Sequence, residues 1–456
     1  MNKVIGLILA AGEGVRMKSD MPKVVHEISG KTMVEYIIDA LNGITDMKPI
    51  VVVGHKADMV KEKLGGNVIY AYQYQQLGTA HAVKCAGEYL RQMDGYVIIL
   101  AGDTPLITAN TLRHIASECM DNGYSAVVLT AEMNDPRGYG RIIRDDNGQL
   151  QEIIEDKDAD EKQKTIKEIN SGIYCFKIKD LLAGLDEISS DNAQGEYYLT
   201  DIIRILRERG LKVKAYKTGE STEIMGVNNR IQLAQVGKIL RERTLERLML
   251  QGVTLIDPSN TYIDDTVTIG KDTIIYPGNT IEGKTMIGQG CIVYPNSRIV
   301  DSDIGNNVRI QASVILESKI GDGTTVGPFA YLRPNSQIGQ GARIGDFVEV
   351  KNSSIGNGTK VSHLSYIGDA NIGSGVNVGC GVVVVNYDGK VKHRTTVRDK
   401  AFIGCNANLV APVEVKEGAY IAAGSTITDD VPEYSLAIAR CRQTIKPEWV
   451  KKKGKK

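Results

Sequence analysis

An apolar side chain recurs about every six residues from residue 263 to residue 431, and Gly often follows it. Ile, Val or Leu occupies the recurring position, and some steps after Ile299 are five residues long. The register comprises Ile263, Ile269, Ile275, Ile281, Ile287, Val293, Ile299, Ile304, Ile310, Ile315, Ile320, Val326, Leu332, Ile338, Ile344, Val350, Ile355, Val361, Ile367, Ile372, Val378, Val384, Ile403, Leu409, Val415, Ile421 and Ile427. A fixed short period of this kind predicts a stacked solenoid.

The solenoid that this period predicts is a parallel β-helix. β-branched residues suit short pleated segments, and three hexads make one triangular coil with the recurring side chain pointing inward. Gly, Asn and Asp, which favour tight turns, are expected at the corners. Chance periodicity in an ordinary β-rich domain does not account for a repeat kept over so many positions.

Residues 1 to 229 show a different pattern, in which short apolar runs alternate with helical periodicity. This is the βαβ rhythm of an α/β, Rossmann-like domain with a parallel sheet, which binds ligands at the carboxyl ends of its strands. The predicted strands are Val4–Ala10, Ile50–Val53, Tyr96–Leu100 and Ala126–Thr130. The predicted helices are Val34–Leu41, Asp58–Leu64, Ala80–Leu90 and Thr108–Met120.

Residues 230 to 250 mix apolar positions at helical spacing with many charges, and Gly252 follows them. The pattern predicts one helix of roughly 30 Å joining two domains, with a partner-binding helix as the alternative. The expected division is therefore residues 1–229, a helical linker at 230–250, and a β-helix domain with its C-terminal tail at 251–456.

Composition narrows the classes of partner. Lys and Arg number 55 and so do Asp and Glu, so the balanced charge gives no sign of a nucleic-acid partner. Seven cysteines without a C-x-x-C pair fit neither a zinc site nor a disulfide framework, and they favour a reducing cytoplasm. The N-terminus resembles a first strand more than a signal peptide, and no stretch is long enough to span a membrane. The basic residues 451–456 are expected to be a solvated tail, with a tail that reaches an anionic ligand as the alternative.

The first predicted strand leads into a Gly-x-Gly turn, residues 12–14, followed by Arg16 and Lys23. Glycines let the backbone approach a ligand closely, amides of a tight turn cradle phosphate oxygens, and the two cations suit a polyphosphate. Met17 stands where a dinucleotide fingerprint would have its third glycine, so a simple turn with surface cations is an equal alternative.

Two further stretches follow predicted strands. Gln73 precedes a Gly78-Thr79 turn into a helix, which could offer amides to a base or a phosphate. Asp103 follows a central strand, where a metal-binding carboxylate would lie, and Mg²⁺ takes one or two carboxylates together with phosphates and water. The alternative role for Asp103 is to cap a helix in Asp-Thr-Pro.

The hexad repeat is broken between Val385 and Phe402 by a polar stretch, which we expect to be extruded as a functional loop. Arg333, Lys351, His363, Tyr366 and Asn377 precede it at spacings near multiples of the hexad, so the coils should place several of them on one side. Imidazole titrates near neutral pH, which makes the histidine a candidate general base. A lone histidine at a solenoid corner is nevertheless most often ordinary surface.

Several motifs together resemble the sugar-1-phosphate nucleotidyltransferases: Leu9-Ala-Ala-Gly-x-Gly-x-Arg-Met with Pro-Lys23, Gln-Leu-Gly-Thr-Ala-His at 76–81, and Gly-Asp-x-Pro at 102–105. Later segments at 138–142, 155, 170, 191–201 and 226–230 narrow the match. With the solenoid behind them, the full length resembles the bacterial family of bifunctional N-acetylglucosamine-1-phosphate uridyltransferase / glucosamine-1-phosphate acetyltransferase. That resemblance implies a nucleotidyltransferase domain, a long helix and a left-handed parallel β-helix of hexapeptide repeats.

The resemblance also implies site residues in the first domain. UTP or UDP-sugar would contact Leu9, Ala10, Ala11, Gly12, Arg16, Lys23, Gln73, Gly78, Thr79, Gly140, Glu155, Asn170 and Asn228. Asp103 and Asn228 would hold Mg²⁺. From the sequence alone, Glu155, Asn170 and Asn228 are indistinguishable from ordinary surface residues.

In the β-helix the resemblance makes His363 the catalytic base. Arg333, Lys351, Tyr366 and Asn377 would bind the amino-sugar phosphate, and Asn386, Tyr387, Cys405, Ala423 and Arg440 would contact acetyl-CoA. Cys380 and Cys405 depart from some relatives, and we expect both to be small buried residues, because direct acetyl transfer needs no thiol nucleophile.

The function that these motifs imply is a two-site cytoplasmic enzyme, expected to be a homotrimer, that acts on small molecules. It would acetylate glucosamine-1-phosphate and then couple the product to UTP, giving UDP-N-acetylglucosamine for peptidoglycan and, in many bacteria, other surface polysaccharides. Two alternatives are a single-activity sugar-nucleotide enzyme with a structural β-helix and a non-catalytic regulatory relative.

Overall fold

The computed structural model describes residues 3–454, so Met1, Asn2 and the last two residues of the basic tail lie outside the description. The chain divides between Leu240 and Arg241 into two compact units. The division falls inside one helix, Arg230–Leu250, over the range where the sequence predicts a helix. No helix among residues 3–454 is both long and apolar enough to cross a membrane.

The first unit is built on a mixed β-sheet. Its strands, with a small separate hairpin formed by β2 and β3, are β1 Val4–Leu9, β2 Glu27–Ile28, β3 Lys31–Thr32, β4 Ile50–Val53, β5 Ile69–Tyr72, β6 Tyr96–Ala101, β7 Ala126–Glu132, β8 Arg141–Arg144, β9 Leu150–Ile154, β10 Glu168–Lys177 and β11 Val213–Lys217. The main order is β11-β7-β10-β6-β1-β4-β5, with β8 and β9 as a side hairpin. The pairs of β1 with β4 and β6, of β4 with β5 and of β7 with β11 are parallel, as the βαβ pattern predicts. β10, which the pattern did not predict, runs antiparallel to β6 and β7 because it is reached without a crossover.

Helices cover both faces of this sheet. They are α1 Met33–Asn42, α2 Ala57–Leu64, α3 Thr79–Cys85, α4 Gly87–Leu90, α5 Ala109–Asp121, α6 Ile178–Leu185, α7 Asp201–Glu208 and α8 Arg230–Leu250. The predicted helix Ala80–Leu90 is two helices, since Ala86 leaves helical geometry with a ψ of −1°. Alternate residues of β1 join two different apolar clusters, Ile5 one and Ile8 the other, so the strand is buried on both sides.

The second unit is a β-helix with three parallel sheets, here called faces A, B and C. Face A contains Thr254–Leu255, Ile274–Ile275, Ile292–Val293, Arg309–Ile310, Thr325–Val326, Arg343–Asp346, Lys360–His363, Asn377–Val378, Phe402–Ile403, Tyr420–Ile421 and Leu436–Ala437. Face B contains Tyr262–Ile263, Thr280–Glu282, Arg298–Val300, Val314–Leu316, Tyr331–Leu332, Glu349–Lys351, Tyr366–Gly368, Val383–Val385, Asn408–Val410 and Thr426–Ile427. Face C contains Thr268–Ile269, Met286–Ile287, Asp303–Ile304, Lys319–Ile320, Gln337–Ile338, Ser354–Ile355, Ala370–Ile372, Thr395–Val397 and Val413–Val415.

The interior of the β-helix is the apolar register itself. All the recurring Ile, Val and Leu positions are buried and form one continuous cluster, which confirms the inward orientation expected from the period. Each register residue stacks on its counterpart one coil away, as Ile310 does with Val293 and Val326. The repeat also begins earlier than the sequence pattern indicated, with Val253 and Leu255 already in the cluster.

The extruded loop is shorter than the sequence predicts. Thr395–Val397 pairs with Ala370–Ile372 and with Val413–Val415, so face C resumes well before Phe402. Only residues 386–394 leave the coil. The polar residues Thr395 and Thr396 had hidden this strand, although Thr suits a pleated segment as well as Ile or Val does.

The corners of the coils mostly use the expected turn residues. Asn296 and Asn307 have φ values of 66° and 56°, a region that Asn tolerates better than most residues. Phe329 and Phe347 depart from this expectation, with φ values of 57° and 56°. Their rings stack at 5.4 Å and remain exposed.

A short helix, α9 Trp449–Lys452, lies in the tail after the last strand of face A, and the residues around it are exposed. Residues 451–454 are exposed, as expected of a solvated tail, and residues 455 and 456 of that expectation lie outside the described residues.

Candidate active sites

A cavity of about 330 Å³ opens at the carboxyl ends of β1 and β6. This is the edge at which ligands of such sheets bind. The sequence-predicted residues among its lining are Leu9, Ala10, Ala11, Gly12, Lys23, Gln73, Gly78, Thr79 and Asp103, and Glu196 joins them. The structure therefore brings most of the predicted nucleotide residues together.

Cations and oxygen donors meet at one end of this cavity. The Lys23 ammonium contacts Asp103 Oδ2 directly and lies 3.1 Å from Asn228 Oδ1. Arg16 Nη2 donates to the same Asn228 oxygen at 2.9 Å. Gly14 makes the close approach possible, since it has a φ of 65° and a Cβ there would lie 2.6 Å from Lys23 Cβ. The helix-cap alternative for Asp103 is wrong, because Thr108 caps α5.

The donor set at Asp103 and Asn228 fits a divalent metal. A carboxylate and an amide oxygen converge on one point, as their shared contact with the Lys23 ammonium demonstrates. Hard cations such as Mg²⁺ prefer these ligands and complete their shell with phosphate oxygens and water. Among residues 3–454 no group of three or more His, Cys, Asp or Glu could hold a metal.

The Gly78-Thr79 turn is fixed by its neighbours. Thr79 Oγ1 accepts a hydrogen bond from the Leu199 amide at 3.0 Å, and helix α3 begins at this residue. Gln73 is buried, and its amide nitrogen lies 3.1 Å from both the Gly78 carbonyl and His81 Nδ1. With its nitrogen so occupied, the carbonyl oxygen of Gln73 remains as the acceptor for a ring N–H, which uracil has and cytosine lacks.

Gly140, Glu155 and Asn170 form a second group in the first unit. The Asn170 amide donates to the Gly140 carbonyl at 2.8 Å, while its side chain donates to the Tyr174 hydroxyl at 2.7 Å. Burial raises the pKa of Glu155, more than the hydrogen bond from Thr200 lowers it. A buried carboxyl beside buried hydroxyls is suited to a ligand rich in hydroxyl groups.

In the β-helix, cationic side chains of face B lie in successive coils. Arg333 follows Leu332, which pairs with Val350, so it stacks on Lys351. The Arg333 guanidinium pairs with Glu349 at 3.0 Å, and the Lys351 ammonium lies 3.4 Å from Asp369. The two cations together suit a phosphate.

Asp369 links this cationic group to the extruded loop. Asn352 and Asn386 donate to its carboxylate at 2.6 and 2.5 Å. Burial alone would raise the pKa of Asp369, but these bonds and the Lys351 ammonium hold it below its ordinary value. Asn386 Nδ2 also lies 3.5 Å from the Tyr366 hydroxyl, so the first residue of the loop contacts the predicted sugar site.

His363 ends its face A strand at the corner before face B. Its Nδ1 lies 2.6 Å from Asp346 Oδ1, and the two residues pair in register across adjacent coils. Three residues later comes Tyr366, the first residue of its face B strand. The predicted base therefore lies next to the predicted sugar-phosphate residues.

The other predicted acetyl-CoA residues lie along the same corner. Val361 pairs with Val378 and Ile403 with Ile421, so His363, Cys380, Cys405 and Ala423 follow one another in successive coils. Arg440 is adjacent, since a Cβ on Gly424 would lie 3.7 Å from its Cδ. Tyr387 is exposed on the extruded loop.

Three residues of the β-helix do not lie where the sequence predicts them. Cys405 is exposed and Cys380 partly exposed, so the prediction that both are buried is wrong, because both lie in corner turns outside the apolar column. Asn377 begins its face A strand opposite Lys360, at the far end from His363. The structure of this one chain does not bring it to the other sugar-phosphate residues.

Sequence reasoning missed Asp346, Asp369 and Lys392. The Lys392 ammonium lies beside that of Lys351, which lowers its pKa. Asp346 could have been found by counting, since it precedes His363 by 17 residues, the length of one coil. Asp369 could have been found in the same way, since it follows Lys351 by one coil and its amide donates to the Lys351 carbonyl at 2.9 Å. Lys392 had no detectable signal, because the conformation of the extruded loop decides its position.

In comparisons with known proteins, a different family model matches each of the two units. A model of the MobA-like NTP transferase domain matches residues 6–167, and a model of the bacterial transferase hexapeptide matches residues 317–352. The fold and sites thus define a nucleotidyltransferase domain followed by a hexapeptide-repeat transferase domain.

Curated relatives match the chain over nearly its whole length. The bifunctional protein GlmU of Acetivibrio thermocellus is 56% identical over 454 residues, which are 100% of this chain and 98% of the relative. The bifunctional protein GlmU of Clostridium acetobutylicum is 57% identical over 449 residues, 98% of each chain. The chain belongs to the family of the bifunctional protein GlmU.

Proposed function

We propose that this chain is a bifunctional transferase that makes UDP-N-acetylglucosamine in two reactions. The β-helix acetylates glucosamine-1-phosphate with acetyl-CoA, and the first unit couples the product to UTP with release of pyrophosphate. The observation that carries the proposal is that one chain holds two separate sets of functional groups. A cationic nucleotide cavity lies in one unit, and a histidine beside paired cations lies in the other.

The uridyl reaction requires positioning and charge neutralisation. The sugar phosphate attacks the α-phosphorus of UTP in line, a P–O bond forms, and the bond to pyrophosphate breaks. Lys23 and Arg16 neutralise phosphate charge, and the carbonyl of Gln73 selects uracil. Gly140, Glu155 and Asn170 form the sugar pocket.

Nucleotidyltransferases of this family use a divalent metal, and we propose that it is Mg²⁺ here. Asp103 and Asn228 would hold it, because one carboxylate and one amide oxygen leave room for the phosphates and waters that Mg²⁺ keeps. The metal supplies neutralisation of the triphosphate when bound. With the metal bound, the Lys23 ammonium would contact the phosphates instead of these oxygens.

The acetyl reaction requires a base. The amine of glucosamine-1-phosphate attacks the thioester carbonyl, the C–N bond forms, the C–S bond breaks, and the amine proton passes to His363. Arg333 and Lys351 hold the phosphate, with Tyr366 and Asn377 as further contacts. Asn386, Tyr387, Cys405, Ala423 and Arg440 are the proposed acetyl-CoA contacts.

The functional boundaries are proposed at residues 1–229 for uridyl transfer, 230–250 for the linker and 251–456 for acetyl transfer. Asn377 lies away from His363 within one chain, which supports a homotrimer whose neighbouring copy supplies this residue. UTP and acetyl-CoA are cytoplasmic metabolites, and all seven cysteines are free among the described residues, which supports a cytoplasmic location.

Reciprocal variants test the two activities. His363→Ala is expected to lower thiol release from acetyl-CoA at least about 100-fold, since general-base catalysis contributes 10²–10⁴-fold, and to leave pyrophosphate release unchanged. Asp103→Ala is expected to do the reverse. Both reactions are followed in purified full-length protein, with glucosamine-6-phosphate as substrate control.

Loss of both activities in either variant would show that the sites are not independent. Wild-type protein that releases pyrophosphate but no thiol would leave the β-helix as a structural scaffold.

A further inference from the structure

A short polar contact at the proposed acetyl site joins His363 to a residue with no assigned role. Asp346 lies one coil away in exact register with His363, and its Oδ1 is 2.6 Å from His363 Nδ1. The His363 side chain is 51% exposed and that of Asp346 is 35% exposed, so substrate can reach the imidazole. The corner geometry is rigid because backbone hydrogen bonds tie the two coils together, including Leu364 N to Asp346 O at 2.9 Å.

This contact decides which ring nitrogen carries the proton. The hydrogen bond from His363 keeps the pKa of Asp346 below its ordinary value, so the carboxyl is ionised at neutral pH. An ionised carboxylate only accepts hydrogen bonds, so Nδ1 must donate. The neutral imidazole therefore has its free lone pair on Nε2, the nitrogen that faces away from Asp346.

We propose that Asp346 is a positioning residue for acetyl transfer, which fixes the ring and tautomer of His363 and stabilises the imidazolium formed when Nε2 takes the amine proton. The proposal rests on the proposed role of His363 as the base. In the step itself the proton moves from the attacking nitrogen to Nε2, and the positive charge on the ring is balanced by Asp346 across Nδ1.

A substitution of Asp346 leaves the other charged and titratable groups around the His363 imidazole unchanged. Arg343 lies on the strand of Asp346, Lys360 on the strand of His363, and Cys380 one coil further on. Tyr366 begins the next strand. Among the described residues, only the carboxylate of Asp346 contacts His363 Nδ1. A substitution of Asp346 therefore removes the one direct contact of this ring nitrogen.

The test compares Asp346→Asn with wild type in the full-length protein. We expect kcat for acetyl transfer to fall on the order of tenfold, with the KM for glucosamine-1-phosphate nearly unchanged, because the half-exposed pair is partly screened. The acid limb of the kcat profile should move to lower pH, since the imidazolium loses its counter-charge. Asp303→Asn, an exposed carboxylate on face C, is the matched control and should change neither quantity.

Three kinetic outcomes would overturn the proposal. They are an unchanged kcat, a fall in kcat with the acid limb in place, and a raised KM without a change in kcat, which would make Asp346 a substrate contact. Wild-type protein with no acetyl transfer would instead refute the proposed function, so the two failures are distinguishable.

A chemical measurement gives a second readout that does not depend on turnover. Diethyl pyrocarbonate modifies unprotonated imidazole, and peptide mass spectrometry reports the rate at each histidine as pH varies. In Asp346→Asn the pH midpoint for His363 should fall, while that for His393, which has its own partner Asp388 at 2.7 Å, should stay the same. Equal midpoints at His363 in variant and wild type would overturn the proposal.

Discussion

At Gly368 the absence of a side chain determines where the Tyr366 ring lies. A Cβ built on Gly368 would come within 2.3 Å of the Tyr366 hydroxyl oxygen. Gly368 also pairs in register with Lys351, so the Tyr366 ring lies beside the cationic side chains of this face. The position of the proposed sugar contact therefore depends on a residue that has no functional group.

Gly368→Ala is expected to displace the Tyr366 ring and to raise the KM for glucosamine-1-phosphate by about tenfold, the cost of one lost hydrogen bond. Stability should change little, because the clash is with the end of a side chain that can rotate. Thiol-release kinetics and thermal unfolding measure the two effects.

Gly219→Ala serves as control for this substitution, since a Cβ there meets nothing within 4 Å. An unchanged KM in Gly368→Ala would mean that the Tyr366 ring does not contact the amino sugar.

The positions of some site residues were predictable from the sequence, and those of others were not. The loop at Leu9–Gly12 and the Asp103 carboxylate follow strands that hydrophobic pattern identifies, and both line the cavity. The position of Lys392 depends on how the extruded loop folds back, and no local pattern encodes that path.

At the scale of elements, each short strand of the β-helix is held by the residues above and below it. Ile310 is fully buried between Val293 and Val326, while its neighbour Arg309 is exposed. Two-residue strands have little stability of their own, so most of the stability of each coil comes from the apolar side chains stacked in the interior.

Ile310→Ala is expected to destabilise the β-helix by about 2–5 kcal/mol, because it removes buried methyl groups and leaves a cavity. Arg309→Ala should stay within about 0.5 kcal/mol as a surface substitution. Urea unfolding followed by hydrogen exchange of β-helix peptides separates this unit from the other.

Faster exchange confined to the coils around residue 310 would agree with nearest-neighbour stabilisation. Equal effects of the two substitutions would contradict the role assigned to the interior stack.

Elements with strong periodicity were predictable, and those whose position depends on distant pairing were not. The hexad positions and α8 follow directly from spacing. The antiparallel direction of β10 does not, because it is set by pairing with β6 and β7, which lie far away in sequence. The strand Thr395–Val397 was hidden because it lacks an apolar run.

At the scale of the whole molecule, helix α8 belongs to both units. Val236 and Leu240 are buried in a cluster with Met17 and Met33 of the first unit. Leu245 and Leu248 are buried in the interior cluster of the β-helix. The end point of a truncated first unit therefore decides which apolar side chains it exposes.

A protein that ends at Leu240 is expected to keep pyrophosphate release within about twofold of the full-length protein and to elute as a monomer. A protein that ends at Leu250 should keep the activity but aggregate more, because Leu245 and Leu248 lose their burial. Size-exclusion chromatography with light scattering compares the two. A trimeric form of the shorter protein would assign the oligomer contacts to the first unit.

The pairing of coils has a consequence for how such a chain can change in length. Thr280 pairs with Arg298, 18 positions on, and Glu349 with Tyr366, 17 positions on. Insertion or loss of one residue is absorbed at a corner, whereas duplication or deletion of a complete turn returns every later side chain to the face it had before. Descendants of one gene can therefore gain or lose whole turns before the coil of Arg333 while the array from Arg333 to Ala423 keeps its spacing. The length of the β-helix and its chemistry are thus free to evolve separately.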